Sequence, residues 1–417
     1  MKRIIQIATL FICCLALPAY ADSSLSLFLQ QVIENNPAIQ AAESNVAAAK
    51  ARERASGYPI YNPSLSAQQQ NALENQSYVE IDQTIDWANK RGAREQVGMA
   101  NARVAKAQLA DLRQQLAVQV LGALAKYQAE QQAATLAKER TSLLQKFVDL
   151  TKKRYKSGDI ARVDLDLAQL ALSEALAQQA DTEVSVNQAL QTLRATTGFT
   201  QMNWPRLASP LPLLAAHDID VDSLMSKLPA VLVLNQQYQT ARARIRAAER
   251  ERYPDPTIGI QGGQSSSEGE KKRLVGVTLS IPLFVRNPYR AEVDAANYDA
   301  MEADGKRADI VRQARAEIRS SAERYQTLYR ATQQWQQAAG KPLGDGMTLI
   351  ERLWQAGEIN STDYIVQLKQ RIDSQIAGVE LKGRAWQAWA EWLRASGQVD
   401  SWLQLKPLSS GEQSWEK

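Results

Sequence analysis

The chain is written twice. A segment from about Leu25 to Gly198 returns from about Leu224 to Gly397, with its landmarks in the same order. Tyr58-Pro59 and Pro63 answer to Tyr253-Pro254 and Pro256. Trp87-Ala-Asn-Lys-Arg91-Gly answers to Phe284-Val-Arg-Asn-Pro288. Asp111-Leu112 and Tyr127-Gln128 answer to Asp309-Ile310 and Tyr325-Gln326. Last, Arg154-Tyr-Lys-Ser-Gly158-Asp-Ile160 answers to Leu353-Trp-Gln-Ala-Gly357-Glu-Ile359, each followed by an acid, Asp164 or Asp363. The offset grows from 195 residues at the first pair to 199 at the tip glycines, as a duplication with small loop insertions requires. A repeat of this length fixes the architecture before any single residue does.

The content of each copy is helix and strand in fixed alternation. From Lys90 to Lys156 there is no proline, and Ala, Gln, Leu, Arg and Glu, all good helix formers, dominate. Leu109, Leu112, Leu116, Val120, Ala123 and Tyr127, then Leu136, Leu143, Phe147 and Leu150, recur at coiled-coil spacing. Val311, Ala314, Ile318, Ala322, Tyr325 and Tyr329 repeat the pattern in the second copy. Gly158 and Gly357 stand where a helix end needs positive φ, and Asp164 and Asp363 suit the positive start of a following helix. Return helices are expected from about Ile160 to Thr196, with Val163, Leu167, Leu170 and Val184 among the apolar positions, and from about Asn360 to Ala395. The cluster Gly340, Pro342, Gly344 and Gly346 is expected to break the second long helix.

Before each long helix the text alternates. Val79, Ile81 and Ile85 alternate with Glu80, Asp82, Thr84 and Asp86; Val275, Val277, Leu279 and Ile281 alternate with Gly276, Thr278 and Ser280. These are strands with one apolar and one wet face. Ser64–Gln70 and Thr257–Gly262 are expected partner strands, joined by polar loops from Gln70 to Ser77 and from Gly262 to Lys272. Four strands cannot close a barrel, and lipid tolerates no open edge. Strands of this kind enter a membrane only if several chains share one barrel; three chains supply about twelve strands.

Composition narrows the function. Lys2 and Arg3, the apolar Ile4–Leu17 and Ala19-Tyr20-Ala21 read as a cleavable secretory signal. Both cysteines, Cys13 and Cys14, fall inside it, so the mature chain offers no disulfide and no thiolate metal site. One histidine, His217, sits in the connector, so paired-histidine metal sites and most triads are excluded. The near balance of 49 basic and 45 acidic residues argues against a nucleic-acid partner.

These residues resemble the TolC-like outer-membrane efflux family. The repeated strand-pair and hairpin unit covers essentially the whole mature chain, and Arg-Tyr-x-x-Gly-x-Ile…Asp with its second copy Trp-x-x-Gly-x-Ile…Asp resembles the family's periplasmic tip. Trp87-Ala-Asn-Lys-Arg-Gly-Ala-Arg94 and Ser280-Ile-Pro-Leu-Phe284…Arg286-Asn287 resemble strand-to-helix junctions of its cobalt–zinc–cadmium-type branch. The implied fold is mainly α with a small membrane β-barrel portion, two tandem repeats of a strand pair and a long coiled-coil hairpin, assembled as a trimeric tunnel. The implied organisation is a signal at 1–21, repeats at 22–205 and 224–400, a connector at 206–223 and a tail at 401–417. Strands fall at about 63–86 and 256–282, and tips at about 157–164 and 356–363.

The resemblance implies a homotrimer in the outer membrane of a Gram-negative bacterium, in contact with its lipid and extending into the periplasm. It docks a periplasmic adaptor and, through it, an inner-membrane pump of the resistance-nodulation-division class. Such a chain is a passive duct without enzymatic chemistry, cofactor or resident metal. Asp363, with Asp164 as its counterpart, matches the acid that lines the periplasmic aperture; a helix-start acid is the plainer reading, and both hold together. Tyr155 and Trp354 are either latches between hairpins or interface packing. Gly158, Asp159, Ile160, Gly357, Glu358 and Ile359 are the adaptor-docking candidates, against turn chemistry alone. Trp386, Trp389 and Trp392 read as interhelical packing rather than an aromatic girdle. Competing readings are a channel for drugs, organic compounds or type I secretion, a periplasmic adaptor and a cell-wall enzyme. An adaptor carries one hairpin, not two, and the missing histidines count against the enzyme.

Overall fold

The computed structural model describes residues 23–70, 75–200, 203–214, 220–267, 270–339 and 343–404. The expected signal, His217 and residues 405–417 of the expected tail lie outside them. The first copy runs α1 (Ser23–Asn35), α2 (Pro37–Ser56), β1 (Ser64–Gln70), β2 (Asn75–Thr84), α3 (Lys90–Lys156) and α4 (Arg162–Thr197). The second runs α5 (Val221–Lys227), α6 (Pro229–Glu251), β3 (Thr257–Ser267), β4 (Glu270–Ser280), α7 (Arg290–Ala339), α8 (Leu343–Gln355) and α9 (Ser361–Ser396), and α10 (Val399–Leu403) follows. Each copy therefore begins with two helices that the sequence reading did not assign. Local signals start them: Asn36 Oδ1 accepts from Ala38 N at 2.9 Å, and Pro37 and Pro229 occupy first-turn positions where no N–H is needed.

The 67 residues of α3 form one helix, about 100 Å long at 1.5 Å per residue. It packs against α4 on one flank and α9 on the other, and α9 packs in turn on α7. Toward the strands, α2 and α6 flank α3, and α6 also packs on α7. The order across the wall is thus α4–α3–α9–α7 at one end and α2–α3–α6–α7 at the other. Among the described residues no helix is long and apolar enough to cross a membrane.

Two large cores and a small alanine cluster (Ala49, Ala102 and Ala105) hold this wall among the described residues. The larger gathers Leu29 and Val32 of α1, Leu116, Val120 and Leu124 of α3, Ile318 and Tyr325 of α7, and Trp389, Trp392 and Leu393 of α9. Trp386, Trp389 and Trp392 are all buried here, Trp389 against Tyr325 and Trp402 and Trp386 against Trp402, so they are packing residues and not a girdle. The smaller core lies toward the tips and joins Leu144, Phe147 and Val148 to Trp354, Tyr364, Leu368 and Ile372. Close approach of α9 to α3 needs Gly383, whose added Cβ would stand 2.7 Å from the Ala129 methyl.

Two expectations are corrected. Gly344 and Gly346 themselves lie inside α8, which follows α7 as a separate helix, and Gly346 leaves room there for the Arg371 guanidinium of α9. The break expected at Gly340 and Pro342 falls outside the described residues. The strands also run further than the alternation suggested. β2 starts at Asn75, β3 reaches Ser267 and β4 starts at Glu270, because ladder pairing continues through polar residues such as Gln264–Arg273 and Ser265–Lys272.

Candidate functional site

The four strands form one antiparallel sheet in the order β1-β2-β3-β4, so β1 and β4 are its two edges. The register sorts the side chains into rows. Leu65, Ile81, Ile260 and Val277 stand directly across from one another, and Ala67, Val79, Gly262 and Val275 form the next row on the same face. Leu65, Ile81, Ile260 and Val277 are each more than half exposed. The opposite face carries Ser66, Glu80, Gln261 and Gly276 in one row and Ser64, Asp82, Gly259 and Thr278 in another. Thr278 donates to Glu80 Oε1 at 2.7 Å across the strands. A bare apolar face, a wet acidic face and two open edges make an isolated sheet of this kind incomplete in water and in lipid alike.

A buried ionic network ties the sheet to the helices. Lys90, the first residue of α3, is 4% exposed, with its ammonium 2.9 Å from Asp255 and 3.3 Å from Glu251. Tyr61 donates to the same Asp255 at 2.7 Å. Burial works against the Lys90 charge, yet Asp255 and Glu251 hold its pKa above the ordinary value. Asp86 caps α3 with both oxygens, accepting from Lys90 N at 2.7 Å and Arg91 N at 2.8 Å. Trp87, exposed, donates its indole N–H to Pro254 O at 2.6 Å. The junction of the first copy is therefore built from residues of the second. Sequence reasoning does not single out Asp255 or Glu251; the available signal is the position of Asp255 inside the repeat landmark formed by Tyr253, Pro254 and Pro256.

At the far end the two tips have one backbone. Gly158 and Gly357 lie at φ 82° and 77°. Gly158 N bonds Tyr155 O at 3.1 Å and Asp159 N bonds Arg154 O at 2.9 Å; Gly357 N bonds Trp354 O at 3.0 Å and Glu358 N bonds Leu353 O at 2.9 Å. These bonds close the last turn onto a left-handed residue. Asp159, Glu358 and Ile160 follow the glycines at the surface or close to it, and Ile359 packs on the smaller core. Asp164 and Asp363 both occupy first turns of the return helices; Asp363 is exposed and Asp164 half-buried.

The side chains around the tips differ. Tyr155 is 40% exposed, whereas Trp354 is 3% exposed. Trp354 lies 4.6 Å from the Phe147 ring and 5.6 Å from Tyr364, which stacks on Phe147 at 4.5 Å. Burial, with Glu351 adding to it, pushes the Tyr364 phenol up to about 12. Arg154 of α3 lies over the Trp354 ring and donates to Gln355 O at 2.8 Å, satisfying the carbonyl end of α8. Further up, Arg140 of α3, itself buried, pairs with Asp373 of α9 at 3.0 Å, and Lys369 of α9 pairs with Glu174 of α4. The Lys369 ammonium holds the Glu174 carboxyl below its usual range. The two hairpins are thus bound to each other within one chain. Of the two aromatic tip residues, only Trp354 takes part.

A duplicated strand pair and helical hairpin, with an exposed apolar sheet face and long helices that close in glycine turns, define the class of fold. Residues 28–199 and 221–398 match the family described as outer membrane efflux protein, and the chain belongs to that family. It is 29% identical over 300 residues to the nickel-cobalt-cadmium resistance protein NccC of Alcaligenes xylosoxydans xylosoxydans, covering 69% of this chain and 66% of that protein. It is 22% identical over 213 residues to the cobalt-zinc-cadmium resistance protein CzcC of Cupriavidus metallidurans, covering 51% of each. These matches span somewhat under two-thirds and about half of the two relatives. The fold also matches the crystal structure of CusC, reported for its transmembrane channel formation, with a TM-score of 0.75 at 14% identity over 91% of this chain and 93% of that one.

Proposed function

We propose that three copies of this chain close a twelve-stranded barrel and continue it as a helical tunnel, forming the exit duct of a heavy-metal efflux system. The observation that carries the reading is the sheet: an exposed apolar face, an acidic polar face and free edges at β1 and β4. Joining β4 of one copy to β1 of the next removes every edge, turns Ile81, Ile260 and Val277 to lipid and places Glu80 and Asp82 in the lumen. The helical edges support the same closure. The edge helix α4 leaves Val163, Leu170 and Val184 more than half exposed, at the coiled-coil positions that call for a partner.

Cations are the cargo, on two supports: the lumenal acids and the metal-resistance relatives. The duct is passive. A pump of the resistance-nodulation-division class supplies energy and selection, and an adaptor grips the tips at Gly158, Asp159, Ile160, Gly357, Glu358 and Ile359. Asp363, with Asp164 as its counterpart on the other tip, lines the periplasmic aperture, where a ring of carboxylates favours cations. Deletion of the gene followed by growth on zinc, cobalt, cadmium, nickel and a set of drugs tests the cargo. Lost metal tolerance is expected; intact metal tolerance with lost drug tolerance would instead assign the duct to organic compounds.

A further inference from the structure

Where the connector crosses the helices, a cleft of about 990 Å³ opens to solvent between α3, α4, α9 and the connector residues Thr200, Asn203, Trp204, Arg206 and Leu207. Gln128 of α3 fixes the connector wall, donating to Pro205 O at 2.6 Å and accepting from Leu207 N at 3.1 Å. Three cationic side chains line the cleft: Arg194 from the end of α4, Arg206 from the connector and Lys382 from α9. No carboxylate lines it, and none of the three pairs with a carboxylate among the described residues. Two further donors are left over: the buried Nε of Arg194 and the buried indole N–H of Trp386 have no acceptor among the described residues. Trp204, Trp386 and Tyr127 supply aromatic walls.

We infer that this cleft is a binding site for a small organic polyanion, one carrying two or more carboxylate or phosphate groups on a flat apolar frame. A desolvated ammonium without a counter-ion is costly, and burial alone pulls the Lys382 pKa below its ordinary value. An excess of donors over acceptors selects an anion, and two guanidinium forks match carboxylate or phosphate geometry. The aromatic walls select a ring against a purely hydrated ion. The cleft is large enough for a ligand of drug size. Arg194 also stands in the last turn of α4, where a cation offsets the helix dipole. That role explains one of the three charges and neither of the others. The site is separate from the tunnel chemistry proposed above, and its test does not depend on the cargo.

The test is isothermal titration of the purified full-length protein, in nonionic detergent, with benzene-1,3,5-tricarboxylate, with citrate as the ring-free trianion. Saturable binding at one site per chain is expected, weaker for citrate and weakening as salt is raised. Lys382→Met and R206Q should each lower the affinity roughly tenfold, the loss of one charge-assisted contact. Arg206 is exposed, so R206Q keeps the test valid should Lys382→Met disturb folding. Absence of saturable binding to the wild type, or equal affinity in the wild type and R206Q, would overturn the site.

Discussion

The two hairpin tips share a backbone and differ in what surrounds it. Both turn at a left-handed glycine with equivalent hydrogen bonds. Yet the aromatic three residues before the glycine is half-exposed in the first tip, as Tyr155, and buried in the second, as Trp354. The return helices differ as well. Asn360 caps α9 by accepting from Asp363 N at 2.8 Å, while α4 starts at Ala161 with no side-chain cap. Duplication supplied two copies of a turn. The second tip's aromatic is anchored in the core, whereas the first tip's stays at the surface, where another molecule can meet it.

The largest expected contrast lies in the aromatics. Trp354→Ala removes a ring packed on Phe147 and Tyr364 and should cost about 3–5 kcal/mol. Tyr155→Ala should stay within about 1 kcal/mol. Thermal unfolding of both variants measures the gap, and equal losses would dissolve the contrast. Alkaline pH acts on the same cluster. The Tyr364 phenol titrates at about 12 in the fold against 10 in an exposed chain, so its support is complete below pH 10 and is lost as pH rises toward 12. At most about 2–3 kcal/mol is at stake. Tryptophan emission followed from pH 9 to 12 should report loosening around Trp354, and Tyr364→Phe should reduce the pH dependence while leaving the part due to Tyr325.

Smaller effects sharpen what the tips share. Gly158→Ala and Gly357→Ala meet no atom within 4 Å, so only backbone strain opposes them, about 1 kcal/mol at each. Equal losses would confirm a common backbone; a much larger loss at either would break the equivalence. Asn360→Ala should cost about 1 kcal/mol by removing the α9 cap, whereas Ala161→Asn should stabilise α4 by a similar amount. Denaturant midpoints read both.

Much of this architecture was legible in the sequence for physical reasons. A proline-free run of good helix formers gave α3 with its ends at Lys90 and Lys156, and glycine marked both turns because few other residues accept positive φ. Alternation revealed the strands but not their ends, since polar pairs such as Ser265–Lys272 extend the ladder without an apolar signal. The Lys90–Asp255 pair joins residues 165 apart, and no local pattern announces such a partner. Tyr155 and Trp354 occupy the same motif position; only the tertiary neighbours Phe147 and Tyr364 separate them. Gly344 and Gly346 lie within α8 although glycine disfavours helix, and at Gly346 the Arg371 guanidinium of α9 fills the space a side chain would take.

The proposed duct conducts cations, with Asp363 proposed as its aperture acid. Its most direct test is the reversal potential under a salt gradient in planar bilayers, measured for the wild type, Asp363→Asn and Asp164→Asn. The expected result is cation preference in the wild type, a marked loss in Asp363→Asn and a smaller loss in Asp164→Asn. No conductance from the folded protein, or unaltered cation preference in Asp363→Asn, would contradict it.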